Sequence, residues 1–129
     1  LLENLAQQRQ VRFEFIFAEK PLVIRADAAQ IEQALINIVK NAIEAIDNEG
    51  VVRIISEHNP PGLRIEDSGK GIAPEVEPLL FTPFFTDKAG GQGIGLTLIR
   101  EILNKHGFGF SLHAGQSLRA SVTVFEIRF

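Results

Sequence analysis

The chain has 129 residues, of which 45% are hydrophobic and 22% charged, and its formal net charge is -3. This length and balance fit one globular domain. Because the sequence contains no cysteine, a disulfide scaffold and a thiolate zinc site are excluded. The basic residues are scattered, which argues against nucleic acid as a partner. No apolar run of about 18 residues is present, so we expect no membrane contact by these residues.

The N-terminal residues do not begin with methionine and have no signal-peptide pattern. We therefore expect the chain to be a piece of a longer protein. Residues 11–17 alternate apolar and polar side chains at first, which predicts a strand with one buried face. Residues 22–25, which follow Pro21, are predicted to form a second short strand.

A long helix is predicted from the N-cap Asp27 to about Asp47. One of its faces is apolar, and Gln30, Asn37, Asn41 and Glu44 share the opposite face. An ordinary solvated face is one interpretation of these polar residues. Asparagine is a poor helix former, however, so two asparagines one turn apart also suggest a binding role, and an amide oxygen suits Mg²⁺.

The remaining elements alternate between hairpins and one more helix. Residues 51–58 and 63–67 are predicted strands, joined by a turn over residues 59–62. Residues 94–105 have helical spacing and end at His106-Gly107. Two closing strands are predicted over residues 108–113 and 121–129. This order favours an α+β fold with helices on one face of a sheet.

The loop Asp67-Ser68-Gly69-Lys70-Gly71-Ile72 directly follows a predicted strand. A carboxylate there could accept a hydrogen bond from an exocyclic amine, and the two glycines let a flat ligand approach the backbone. A plain turn explains the same residue types equally well. The loop alone leaves both interpretations open.

Glycines also open the second helix, in the segment Gly90-Gly91-Gln92-Gly93-Ile94-Gly95. Free backbone N–H groups at a helix N-terminus can hold a phosphate. A hinge is the compatible alternative. Upstream, three phenylalanines lie between Phe81 and Phe85, a cluster that more often seals a core edge than binds a ligand. Lys88, which follows them, is either a solvated charge or a phosphate contact.

Taken in order, four segments resemble the N, first-glycine, phenylalanine and second-glycine boxes of histidine kinases. These segments are Asn37-Ile-Val-Lys-Asn41-Ala, Asp67-Ser-Gly69-Lys-Gly71, Leu80-Phe81-Thr-Pro-Phe84-Phe85-Thr and Gly91-Gln-Gly93-Ile-Gly95-Leu96. The superfamily also includes gyrase, heat-shock chaperones and mismatch-repair ATPases. The details look closest to the nitrogen-regulation type of sensor kinase. The resemblance implies a two-layer α/β sandwich of the Bergerat type, with a mixed sheet of about five strands and about three helices on one face.

The resemblance also implies ATP and Mg²⁺ as cofactors and gives each matching residue a role. Asn41 would bind Mg²⁺, Asn37 would lie beside the phosphates, and Lys88 would approach the terminal phosphates, so these three form the predicted catalytic set. Asp67 would hold the adenine amine, and residues from about 74 to 91 would form an ATP lid. The full predicted nucleotide site is Asn37, Asn41, Glu44, Asp67, Gly69, Gly71, Ile72, Phe85, Thr86, Lys88, Gly91, Gly93, Ile94, Gly95, Leu96 and Thr97.

Two positions depart from the family pattern. Glu44 stands where many members carry a lysine, so that lysine's phosphate contact is missing. The usual Gly-x-Gly-Thr turn of the last hairpin is replaced by residues 115–120, which puts the register of that hairpin in question.

Asn37 bears on the reaction, because hydrolases and serine kinases of this superfamily carry a glutamate base at that place. An amide is not a useful base, so phosphoryl transfer to a histidine is favoured over attack by water. None of His58, His106 and His113 lies in a phosphoacceptor pattern; His106 is expected at a helix end, and the other two at strand ends.

The phosphoacceptor is therefore expected on a separate dimerisation domain, of which residues 1–10 would be a remnant, whereas residues 11–129 would form the ATP-binding domain. A response regulator would be the further partner. We expect this domain to lie in the cytoplasm, as part of a soluble or a membrane-anchored sensor kinase. We also expect the full protein to be a homodimer and this chain to be a monomer. Hydrolysis of ATP and a degenerate nucleotide-sensing or docking module remain as alternatives.

Overall fold

The computed structural model describes residues 2–73, 75–80, 95–117 and 120–129. Within these ranges it contains three α-helices, five strands and one short 3₁₀ helix. In chain order they are α1 Glu3–Gln8, β1 Val11–Ile16, α2 Ala28–Glu44, β2 Gly50–His58, β3 Pro61–Asp67, the 3₁₀ helix Glu77–Leu79, α3 Gly95–Lys105, β4 Gly109–Ser117 and β5 Ala120–Arg128. The predicted α+β class is confirmed.

The five strands form one mixed sheet in the order β1-β2-β3-β5-β4. β1 pairs with β2 in parallel, and α2 makes the crossover between them. All other pairs are antiparallel, and β2–β3 and β4–β5 are hairpins. The last hairpin keeps a regular register from Gly109↔Arg128 to Ser117↔Ala120, so the unusual residues at its tip do not disturb the strands.

One face of the sheet supplies the hydrophobic core together with the helices. Period-2 alternation puts every second strand residue on that face. The core is completed by apolar residues of α2 and α3 and by Ala6 of α1. Its buried members include Ile38, Ile43, Val52, Ile65, Ile99, Leu103, Phe125 and Ile127.

The opposite face carries charges that pair across strands. Arg53 contacts Glu14 at 2.9 Å and Glu66 at 3.5 Å, and Arg64 contacts the other oxygen of Glu66 at 2.9 Å. Glu66 is buried, and its two arginine partners offset the cost of burying its charge. This face therefore needs no second helical layer, which agrees with a two-layer sandwich.

The ends of α2 and α3 follow the predicted capping rules. The Asp27 carboxylate accepts the Gln30 N–H at 3.0 Å and caps the N-terminus of α2. After α3, Gly107 has φ +74°. The Phe108 N–H donates to Leu103 and the Gly107 N–H to Asn104, which is the Schellman arrangement. The predicted stop at His106-Gly107 is confirmed.

The three histidines lie in different settings. The Asp27 N–H donates to His106 Nε2 at 3.0 Å, and His106 Nδ1 lies 2.8 Å from the Ile102 carbonyl, so this ring joins the end of α3 to the start of α2. His58 is the last residue of β2, as expected. The prediction for His113 was wrong, because β4 continues to Ser117 and leaves His113 inside the strand.

The predicted strand at residues 22–25 was also wrong. This segment pairs with no strand in the described part of the chain. Leu22 and Ile24 line an apolar cleft, whereas Val23 is 86% exposed. The apolar run at residues 22–24 thus packs on one side only, through Leu22 and Ile24. Pro21, which lacks an N–H, also opposes a strand ladder there.

Residues before β1 are attached to the rest of the domain. Ala6 is buried, and Leu2 and Leu5 pack against the core. The Glu49 N–H donates to the Arg9 carbonyl at 2.8 Å. The origin of residues 1–10 as part of a dimerisation helix or linker stays a prediction.

None of the described helices combines the length and the apolar character that a membrane span requires. This observation covers residues 2–73, 75–80, 95–117 and 120–129.

Candidate functional site

A buried carboxylate lies where β3 ends. Asp67 is 6% exposed and pairs in register with Val52 of β2 and Thr123 of β5. Directly paired residues present their side chains on the same face of a sheet. The Asp67 side chain therefore lies on the helix-covered face, at one end of the core.

The segment after Asp67 is a tight turn. The Gly69 N–H donates to Asp67 Oδ1 at 3.0 Å, which is an Asx-turn bond. A Cβ atom at Gly69 would lie 2.4 Å from the Ala45 carbonyl oxygen, so only glycine fits against the end of α2. The turn interpretation of this loop is thus confirmed, and it does not exclude a binding role for the carboxylate.

Burial raises the pKa of Asp67 from 3.8 to about 6, although the Gly69 N–H opposes this shift. Desolvation disfavours the charged form of a carboxyl group. No arginine or lysine side chain contacts this carboxylate among the interactions of the described residues that account for the shift. Burying a carboxylate without a neighbouring cation costs folding free energy. Such a group with a shifted pKa marks a candidate functional site.

Thr123 is a candidate site residue that the sequence did not reveal. Its side chain is 7% exposed, and its Oγ1 atom is buried with no hydrogen-bond partner among the described residues. An unsatisfied buried hydroxyl costs about 1–3 kcal/mol. In a strand that reads Ser-Val-Thr-Val-Phe, a threonine is ordinary, so only its pairing with Asp67 distinguishes it.

Asn41 lies on the side of α2 that faces the loop after Asp67. Ala45 follows Asn41 by one turn, so the two residues lie on one stripe of the helix. Because Gly69 packs on Ala45, this stripe faces the Asp67 loop. Asn37, Asn41 and Glu44 are all half-buried, so the polar stripe is not an ordinary solvated face.

Other predicted site residues lie in the segment after the Asp67 turn and at the start of α3. Gly71 has φ +80°, a conformation that requires glycine here, and Ile72 beside it is half-buried. Gly95 begins α3, as the predicted helix start implies within one residue. Leu96 and Thr97 follow in its first turn, where Thr97 Oγ1 is buried with no hydrogen-bond partner in the part of the chain that the structure describes.

Several predicted residues lie outside the described residues. These are Phe85, Thr86, Lys88, Gly91, Gly93 and Ile94, together with most of the predicted lid. Of the lid, residues 75–80 are described and include the 3₁₀ helix Glu77–Leu79.

The described part of the candidate site offers a hydrogen-bond acceptor next to a hydroxyl. Asp67 offers an acceptor and Thr123 a hydroxyl that can donate or accept, side by side and away from water. The amine and ring nitrogens of adenine present such a donor and acceptor on adjacent atoms. Among the described residues no group of three or more His, Cys, Asp or Glu side chains could hold a metal ion alone. Any Mg²⁺ here would need ligand phosphates, as is usual for this ion.

Comparison with known proteins agrees with this geometry. Residues 26–129 match the family described as histidine kinase-, DNA gyrase B-, and HSP90-like ATPase. The sensor histidine kinase ZraS of Salmonella typhimurium is 34% identical over 130 residues, which cover 98% of this chain and 27% of ZraS. The chain thus spans about a quarter of the length of that curated relative.

Solved structures give the same result. The catalytic domain of histidine kinase ThkA superimposes with a TM-score of 0.79 at 34% identity, covering 98% of this chain and 84% of that one. Histidine kinase ThkA in complex with the response regulator TrrA superimposes with a TM-score of 0.71 at 31% identity, covering 98% and 36%. The finer assignment to the nitrogen-regulation type stays a prediction. The chain belongs to the histidine kinase-, DNA gyrase B-, and HSP90-like ATPase family, and it is similar in sequence and fold to the catalytic domain of a histidine kinase.

Proposed function

We propose that this domain binds ATP with Mg²⁺ and donates the terminal phosphoryl group to a histidine on a separate dimerisation domain. The observation that carries the proposal is the pair Asp67 and Thr123, a buried acid and a buried unsatisfied hydroxyl side by side. Both groups cost stability, and a purine bound against them would satisfy both.

In this proposal Asp67 accepts a hydrogen bond from the exocyclic amine of adenine, and Thr123 bonds to the neighbouring ring nitrogen. The turn at Gly69 keeps one carboxylate oxygen occupied and so orients the other. Gly71 and Ile72 border the base. The proposed cofactor supplies the transferable phosphoryl group and a divalent cation that neutralises its charge.

The amide oxygen of Asn41 is proposed as the protein ligand of Mg²⁺, with Asn37 beside the phosphates. Neither amide can remove a proton from water, which favours an acceptor that needs no base. A neutral imidazole meets this requirement. Lys88 is proposed to approach the terminal phosphates, and Phe85, Thr86, Gly91, Gly93 and Ile94 are proposed to complete the site with Gly95, Leu96 and Thr97.

The histidines of this chain support an acceptor on another domain. Both ring nitrogens of His106 are engaged within the fold, and His58 Nε2 bonds to the Lys20 carbonyl. His113 Nδ1 lies 3.3 Å from Ser111 Oγ within β4. Each of these contacts gives its ring a structural role.

The proposed partners are a dimerisation domain that carries the histidine and, through it, a response regulator. Histidine kinase ThkA has been solved with the response regulator TrrA, which supports a partner of this class. We further propose that the full protein is a homodimer, that this domain alone is monomeric, that it contacts neither nucleic acid nor membrane, and that it works in the cytoplasm.

Calorimetric titration with a non-hydrolysable ATP analogue and Mg²⁺ tests the site. We expect binding by the wild type and at least tenfold weaker binding by Asp67→Asn, because the amide presents a donor where the adenine amine needs an acceptor. The matched control is Asp47→Asn, the same change at an exposed position. Equal affinity of wild type and Asp67→Asn would contradict the proposed site.

A labelling experiment tests the reaction. With γ-labelled ATP, we expect no acid-labile phosphate on this chain alone and labelling of a histidine-bearing dimerisation domain added in trans. Steady phosphate release without any acceptor, abolished by Asn41→Ala, would instead favour the hydrolase alternative. Absence of analogue binding at millimolar concentration would favour a docking module.

A further inference from the structure

Three successive backbone carbonyls at the end of α2 are bound by two separate parts of the chain. Arg9 Nη1 donates to the Glu44 carbonyl at 3.0 Å and to the Ile46 carbonyl at 3.1 Å. Between them, the Ala45 carbonyl accepts the Lys70 N–H at 3.0 Å. The end of α2 is thus held on one side by the N-terminal segment and on the other by the loop that follows Asp67.

Arg9 supplies what α2 lacks at its C-terminus. The last carbonyls of a helix have no partner within it and carry a partial negative charge. The last turn of α2 contains no basic residue, and Arg9 provides the cation from elsewhere in the sequence. Half-burial of the Arg9 side chain strengthens these charge-assisted bonds relative to a solvated arginine.

The backbone around Arg9 is itself anchored. The Glu49 N–H donates to the Arg9 carbonyl at 2.8 Å, and the Gly50 N–H donates to the Gln10 carbonyl at 3.3 Å. These bonds connect the segment to the first residues of β2. The position of the guanidinium is therefore set by the fold and is not that of a loose surface side chain.

The end of α2, which Arg9 contacts, is closely packed against the loop that follows Asp67. Gly69 touches Ala45 so closely that no Cβ fits, and a Cβ at Gly50 would lie 2.8 Å from both Ile46 and Ser68. Ser68 Oγ accepts the Val51 N–H at 2.9 Å. In a close-packed region a shift of one element must move its neighbours. A displacement of the α2 end would hence move the loop that orients Asp67.

We propose that Arg9 is a positioning residue for the nucleotide site, acting by fixing the C-terminal end of α2 against the Asp67 loop. This inference rests on the proposed function, because it assigns Arg9 a role in nucleotide affinity. It also gives the segment before β1 a direct connection to the site, through Glu44, Ala45 and Lys70 and without any contact to ligand.

The test compares Arg9→Gln with Arg9→Lys and two controls. Arg12→Gln removes the same charge from an exposed side chain of β1 that does not reach α2. Ile127→Val removes one buried methylene-sized group at the far end of the core and reports on general loss of stability. For each variant we would measure the affinity for the ATP analogue with Mg²⁺, and the amide exchange rate of Lys70 without nucleotide.

We expect Arg9→Gln to weaken analogue binding about tenfold, within the usual range for coupling between sites. Lys70 exchange should accelerate in the same variant, because its N–H bonds to the Ala45 carbonyl. Arg9→Lys should recover part of both effects, since an ammonium group can also donate to two carbonyls. Both controls should keep wild-type affinity and wild-type Lys70 exchange.

Unchanged affinity and unchanged Lys70 exchange in Arg9→Gln would overturn the inference, as would an equal loss of affinity in Ile127→Val. Failure of the proposed function looks different. In that case the wild type itself would not bind the analogue, while the exchange rate of Lys70 would still report whether Arg9 holds the corner.

Discussion

The two ends of the β3–β5 pair differ in what they contain. At one end, Asp67 and Thr123 face each other as buried polar groups, one with a raised pKa and one without a hydrogen bond among the described residues. At the other end, Leu63 pairs with Ile127, and Phe108 meets Phe129 edge to face at 4.9 Å. Apolar burial at one end stabilises the fold, whereas the buried polar groups at the other end cost folding free energy and are proposed to contact a ligand.

Helix α2 shows the same contrast along its length. Ile31 and Leu35 in its first half line an apolar cleft of about 340 Å³. The second half carries Asn37, Asn41 and Glu44 on the stripe beside the Asp67 loop. The difference teaches that one helix can contribute hydrophobic burial at one end and half-buried polar side chains, here the proposed ligand contacts, at the other. Three substitutions would sharpen or break this comparison.

The largest effect is expected at the apolar end, from Ile127→Ala. Ile127 is 1% exposed, and truncating such a side chain leaves a cavity that costs about 2–5 kcal/mol of unfolding free energy. Because this end is remote from Asp67, analogue affinity measured well below the melting temperature should stay at the wild-type value. A parallel loss of affinity would show that the two ends are not independent.

Asp67→Asn should change stability in the opposite direction, raising the unfolding free energy at neutral pH by up to about 3 kcal/mol. The folded-state pKa of Asp67 is about 6, above its ordinary value of 3.8, so the wild type loses stability as pH rises from about 4 to 6. The amide has no such titration and can still accept the Gly69 N–H. The gain should therefore vanish as pH falls towards 4.

Urea denaturation of wild type and Asp67→Asn between pH 4 and 7.5 measures this difference. Asp47→Asn again serves as the matched control, and should show little pH-dependent gain. A constant difference between wild type and Asp67→Asn over this pH range would contradict the assignment of the cost to burial of the charge.

The smallest effect is expected from Thr123→Val, which replaces the unsatisfied hydroxyl by a methyl group of similar size. We expect a gain of about 1 kcal/mol in unfolding free energy, because a buried polar atom without a partner is removed. Analogue affinity should fall severalfold. Thr97→Val, at the other unsatisfied threonine, provides the comparison. A loss of stability in Thr123→Val would mean that the hydroxyl has a partner in solution.

Most of the fold could be predicted from periodicity, caps and turns. Both long helices, the two hairpins and the N-cap Asp27 follow from local rules, and the structure agrees within a few residues. Residues 22–25 could not be judged correctly, because a short apolar run does not say whether another strand lies beside it.

Motifs in the sequence indicate part of the candidate site, whereas the residues that join it only through tertiary contacts have no sequence signal. Asp67 and Gly69 were found from loop composition, and the close contact with Ala45 explains the glycine. Thr123 and Arg9 have no local signal: one is an ordinary strand residue, and the other an ordinary cation near the start of the chain. Their proposed roles rest on pairing and packing between residues far apart in sequence.

The crossover between β1 and β2 also bears on the order in which parts of the domain unfold. β2–β3 and β4–β5 are joined by short turns, whereas β1 reaches β2 only after the whole of α2 has been placed. Contacts that close a long loop cost more chain entropy and form with difficulty. We expect β1, as an edge strand with a single neighbour, to belong to the least stable cooperative unit. Partial unfolding of that unit would withdraw Arg9 from α2 while both hairpins stay intact, so the affinity for nucleotide would follow the state of the first strand.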